Sequence, residues 1–191
     1  MAPVTPPADA ADDAGPWLVC QIDGSPDPHG SGPATEVEVA SLTALVAGAL
    51  EDRRGGHTIV VGLRFVDVDE MAGLNESHLG QAGPTDVLSF PIDGDPSATR
   101  DGAATPGGPD APPWLLGDVV ICPEVAAANA PGHAVTYDDE LALLVVHGLL
   151  HLVGRDHADD DERRAMQALE RDLLERLHGP LAADPWAGEA S

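Results

Sequence analysis

Two periods of apolar residues alternate along this chain, and the switches between them divide it into elements. Trp17 to Ile22 (WLVCQI) is a short apolar run and reads as a strand. From Glu36 to Glu51, Val37, Ala40, Leu42, Leu45, Val46 and Leu50 recur at helical spacing behind Thr35, a suitable N-cap. Thr58 to Val66 (TIVVGLRFV) is β-branched and nearly continuously apolar, the pattern of a buried strand. A short helix capped by Asp67 follows to Glu76, then a third strand from Asp86 to Ile92, whose Pro91 demands a sheet edge or a strand end. Leu115 to Cys122 is a fourth strand, and Pro123 opens a helix at the position where proline is tolerated. The segment from Tyr137 to Val153 is apolar on most of its surface, as a central buried helix must be, and Gly154 stops it. The last helix, Asp159 to Leu177, is amphipathic, with Met166, Leu169, Leu173, Leu174 and Leu177 inward. About four strands and five helices in one domain predict an α+β fold of mixed α/β layers.

The flanks lack this order. Residues 1–16 are rich in Pro, Ala and Asp and read as a disordered acidic tail, and 179–191 read the same way. The single domain is therefore expected over 17–178, with a flexible Gly, Pro and Asp loop at 93–113.

Composition sharpens the picture in three ways. With 3 % aromatic residues, the core must be Leu, Val, Ile and Ala. The net charge of −24 comes from 33 acidic residues against 9 basic ones, all Arg. Such a surface is soluble and repels polyanions at long range, so charge alone argues against nucleic acid and gives no reason to expect DNA as a partner. The first 35 residues carry five Asp and no Arg, so part of that charge lies away from any site in the domain. Cys20 and Cys122 sit far apart in strand-like runs and read as buried free thiols. The N-terminus has neither a basic nor an apolar leader region, and no apolar run approaches the roughly 20 residues of a membrane span, so a cytoplasmic location without a membrane partner is expected.

The chemistry is concentrated in HGLLHLVGRDH, residues 147–157. His147 and His151 are i and i+4 on the buried helix, hence on one face, about 6 Å apart along the axis. Gly154 can take the left-handed conformation that reverses the chain and brings His157 back to the pair. Three neutral imidazoles leave a fourth tetrahedral position open, the pattern of one catalytic Zn²⁺ per chain on a helix and the turn after it. Asp156 either orients a ligand from behind or forms the turn. His29, His57 and His133 read as solvated, and His178 as a helix-end residue suited to the helix dipole.

The same histidine spacing occurs in metzincin proteases, which carry Glu after the first His as general base; here that position is Gly148. Taken with other segments, the chain instead resembles the YbeY endoribonucleases, which mature the 3′ end of small-subunit ribosomal RNA. The resemblance rests on HGLLHLVGRDH, on Leu116-Gly117-Asp118 with the Val-Val-Ile-Cys that follows, on GPTDVLSFP at 83–91, and on Leu74-Asn75 before it, all in the family's order. It implies a mixed four-stranded sheet packed with helices, His147, His151 and His157 as zinc ligands, and hydrolysis of ribosomal RNA in contact with the small ribosomal subunit. Asp118, on a strand beside Gly117, is the candidate base, with a turn or backbone role as its alternative. Leu79 stands where many members carry Arg, a natural phosphate clamp. Arg155, between Gly154 and Asp156, is the candidate substitute for substrate binding, or else an exposed turn residue. Three function classes stand side by side: an RNA-cleaving metalloenzyme, another zinc hydrolase such as a protease, and a ribosome-associated assembly factor with a structural metal.

Overall fold

The computed structural model describes residues 17–30, 35–51, 57–95, 111–157 and 159–187. The expected tail at 1–16, the last residues of the other at 188–191, and 96–110 of the expected loop lie outside the described residues.

The elements are β1 (Leu18–Asp23), α1 (Glu36–Leu50), β2 (Ile59–Phe65), α2 (Val68–Leu79), β3 (Val87–Pro91), β4 (Trp114–Ile121), α3 (Pro123–Asn129), a 3-10 turn (Ala130–Gly132), α4 (Tyr137–Leu152) and α5 (Asp160–Leu177). This is the expected α+β architecture. Local chemistry sets the ends. Thr35 caps α1 through a reciprocal box: Glu38 N–H donates to Thr35 Oγ1 at 3.3 Å and Thr35 N–H donates to Glu38 Oε2 at 2.7 Å. Asp67 caps α2, which runs on to Leu79, past the expected Glu76, because its C-cap is Gly80.

The four strands form one sheet in the order β1-β2-β4-β3. β1, β2 and β4 are parallel; β3 is antiparallel at the edge, with Pro91 as its last residue, so the missing N–H costs the ladder nothing. Side chains alternate across the sheet. Val61, Leu63, Val119 and Ile121 face the main core under α1, α4 and α5. Leu88 and Val120 face the other way, into a smaller cluster with Met71 of α2 and Cys122. Both cysteines are buried free thiols, and burial pushes Cys20 up to about 12. His57, read as solvated, is 4 % exposed and lies 5.1 Å, ring to ring, from Trp114. Among the described residues, no helix is long and apolar enough to cross a membrane.

Residues 179–187 correct a second expectation. Without apolar periodicity, they were expected to be disordered, yet they fold back along α5. Ala182 N–H donates to Asp139 Oδ2 at 3.0 Å, and the Arg171 guanidinium stacks on the Trp186 indole at 4.5 Å. These polar contacts, with Leu181 and Trp186 packed against the main core, hold the segment, and single contacts of this kind leave no periodic trace in sequence.

Candidate metal centre

α4 and the turn after it build the centre. Gly154, at φ +77°, ends the helix: its N–H donates to His151 O at 2.9 Å, and Arg155 N–H donates to Leu150 O at 2.9 Å. That pair of bonds is the Schellman reversal, which a residue with a Cβ enters only under strain. Beyond it, Asp156 Oδ1 accepts from His157 N–H at 2.8 Å. Asp156 thus forms the turn that presents His157.

His147, His151 and His157 each offer one ring nitrogen, and these atoms lie within 4.8 Å of one another. The three rings are 4.6, 5.6 and 5.1 Å apart, centroid to centroid. The Nε2 atoms of His147 and His151 are 3.1 Å apart. Two ligands of a tetrahedral Zn²⁺ with bonds of about 2.0–2.1 Å sit about 3.3 Å apart, so the pair is spaced for such an ion. Burial, and then the neighbouring His147 and His157, hold the His151 imidazole below its ordinary range. The neutral ring is the form that binds metal.

A buried carboxylate stands behind His147. His147 Nδ1 lies 2.7 Å from Oε1 of Glu170, which is 3 % exposed. A carboxylate only accepts, so Nδ1 carries the hydrogen and Nε2 keeps its lone pair for a cation. Glu170 Oε2 in turn accepts from Trp186 Nε1 at 3.0 Å. Sequence reasoning missed both residues. Glu170 sits on α5 at i+4 from Met166, on the inward stripe, and an acidic residue among apolar neighbours was the one available sign.

A cavity of about 330 Å³ opens beside the histidines, between the start of β3, α4 and α5. Its wall includes His147, His157, Asp86, Arg163, Glu170 and Trp186. Asp86, of the PTDV stretch, accepts from Asn129 Nδ2 at 2.9 Å and so ties the mouth of β3 to α3.

Three sequence candidates fall elsewhere. Asp118 pairs with Phe90 across the β3–β4 ladder and, like it, faces the α2 side of the sheet. Its carboxylate lies over Gly62, while its neighbour Val119 faces α4. The structure therefore does not bring Asp118 to the histidines, because one step along a strand reverses the face. Arg155 is exposed on the turn and does not line the cavity; Arg163, paired with Asp160, does. Leu79 is 59 % exposed at the end of α2 and is not part of the cavity wall.

Gly148 has a packing reason. A Cβ there would overlap Val119 Cγ1 and lie 3.3 Å from Ser89 Oγ, and Ser89 Oγ–H donates to Gly148 O at 3.1 Å. The position faces the sheet, so a glutamate placed there would have no path to the metal side of α4.

A family model described as Endoribonuclease YbeY matches residues 34–178. Proteins named Endoribonuclease YbeY from Beutenbergia cavernae and Salinispora tropica are each 43 % identical, over 140 and 141 residues, covering 72 % and 73 % of this chain and 87 % of each relative. The protein of that name from Kineococcus radiotolerans is 44 % identical over 155 residues, 80 % of this chain and 82 % of its own. The solution structure of a Thermotoga maritima protein superposes with a TM-score of 0.52 at 26 % identity, covering 84 % of this chain and 89 % of the other.

Proposed function

The chain belongs to the YbeY endoribonuclease family, and from that premise we propose that it cleaves ribosomal RNA phosphodiesters at a zinc centre held by His147, His151 and His157. The observation that carries the reading is the convergence of three ring nitrogens within 4.8 Å, inside the segment that the family model matches. Three imidazoles with an open position favour zinc, one ion per chain. Bound there, a divalent cation supplies positive charge against the negative charge that develops on the phosphoryl oxygens. Glu170 keeps the His147 hydrogen on Nδ1, so that Nε2 faces the ion.

The protease alternative loses its support, because position 148 faces the sheet and can host no general base. The substrate we assign is the 3′ region of small-subunit ribosomal RNA, met in the cytoplasm in association with the small subunit. A net charge of −24 repels free RNA, so docking on a ribosomal partner and local cations at the cavity have to supply the affinity. Arg163, on the wall and ion-paired with the exposed Asp160, is one candidate phosphate contact, and Arg155 on the adjoining turn is the second.

The test is cleavage of a labelled 3′ fragment of small-subunit ribosomal RNA by the zinc-loaded protein, beside His151→Ala prepared identically. The expected result is cleavage by the wild type alone. Equal cleavage by both would remove the centre from the reaction; zinc binding without cleavage by either would leave the assembly-factor reading in its place.

A further inference from the structure

A second histidine–carboxylate pair borders the same cavity. His133 follows the 3-10 turn and lines the cavity with His147 and His157. Its Nδ1 lies 2.9 and 3.1 Å from the two carboxylate oxygens of Glu140, which is 1 % exposed. Glu140 Oε2 also accepts from Ala134 N–H at 3.3 Å. Since the carboxylate only accepts, Nδ1 carries the hydrogen, and in the neutral ring Nε2, on the opposite edge, is the atom able to accept a proton. The His133 side chain is 38 % exposed and borders the cavity.

The backbone around it is held under strain. Val135, two residues on, has φ +74°, and is the only non-glycine residue with a positive φ among the described residues. A β-branched residue enters that region at a cost and stays there only when its surroundings impose it, which is characteristic of functional segments. Here the Val135 N–H bond to Ala130 O at 2.7 Å and the Thr136 cap of α4 impose it.

Glu140, Leu144 and His147 are i, i+4 and i+7 on α4 and share one face. The two pairs, His133–Glu140 and His147–Glu170, are thus offset by about 10 Å along the helix, two turns, on one cavity. An RNA strand bound at the histidine cluster would run along this cavity past His133. The other charged groups on the wall are engaged: Asp86 with Asn129, Arg163 with Asp160, and Glu170 with His147 and Trp186.

We propose that His133 accepts the proton of the attacking hydroxyl, and that Glu140 positions it; this rests on the endoribonuclease reading above. The hydroxyl oxygen, from water or the ribose 2′ position, bonds phosphorus with its own electron pair as its proton passes to His133 Nε2. The bond from phosphorus to the leaving oxygen breaks, its electron pair departs with that oxygen, and water supplies the proton it then takes. The buried Glu140 carboxylate offsets the imidazolium charge this creates.

The experiment uses the zinc-loaded full chain, the labelled ribosomal RNA fragment and two variants. His133→Asn keeps an N–H donor at the Nδ1 position, so Glu140 stays partnered, and removes Nε2. His133→Ala opens space for added imidazole. The expected result is wild-type zinc content and melting temperature for His133→Asn, kcat lower by about 100-fold or more with KM little changed, and partial rescue of His133→Ala by imidazole. Wild-type kcat in His133→Asn, a rate loss that tracks lost zinc, or no rescue by imidazole would overturn the assignment of His133 while leaving the proposal of the metal centre standing. A wild type that does not cleave would overturn both readings.

Discussion

The two faces of the sheet are built differently, and the functional residues follow that difference. The face under α1, α4 and α5 carries the large core, and buried within it are Asp139, Glu140 and Glu170, each engaged by a histidine. The α2 face carries a small apolar cluster around Met71 and Leu88. Burying a carboxylate is costly unless a partner meets it. Among the described residues only the first face buries carboxylates in this way, and the histidine cluster and the cavity lie there. The family-like segments are split between the faces: HGLLHLVGRDH supplies one, while Asp118 and the end of α2 at Leu79 belong to the other. Motifs that stand together in a family signature need not stand together in space.

The comparison breaks most sharply at the ligands. His147→Ala and His151→Ala should each abolish stoichiometric zinc binding, measured by metal analysis after gel filtration, and cleavage with it; a variant that kept one zinc per chain would put the ion elsewhere. On the α2 face the expected effect is large in stability and absent in chemistry. Met71→Ala, at a fully buried site, should cost about 2–5 kcal/mol in denaturant unfolding while zinc affinity stays at the wild-type value. Glu170→Gln probes the carboxylate behind His147 and should weaken zinc by about 10–100-fold in a chelator competition, with the fold retained.

A smaller effect is set by pH. Burial would raise the Asp139 carboxyl, but hydrogen bonds from Ala182 N–H and His178, with Thr136 beside them, outweigh it and hold the group below its ordinary value of 3.8. The folded state then binds fewer protons than the unfolded one, so the stability Asp139 contributes is full above that value and is lost as pH falls through the lowered one. Asp139→Asn should flatten the acid limb of the stability curve, followed by circular dichroism; an unchanged limb would detach Asp139 from acid unfolding. The smallest expected effect is that of Asp118→Asn: cleavage at the wild-type rate. A collapse of kcat there, with zinc content intact, would return the α2 face to the reaction.

The chain's local order carried much of this structure. Caps at Thr35 and Asp67, the edge-marking Pro91, the all-round apolar α4 and its stop at Gly154 are written within a few residues each, and so is the histidine trio, because a helical turn and one left-handed glycine bring 147, 151 and 157 together without help from the rest of the fold. What spans longer separations was not legible. Glu170 reads in sequence as one more acid on an amphipathic helix and Trp186 as part of a tail, until helix packing sets Glu170 against His147 and Trp186 against Glu170. Asp118 shows the converse. Alternation says that it and Val119 face opposite ways, but which of the two meets α4 depends on the side of the sheet the helix covers, and that is decided only when the core assembles.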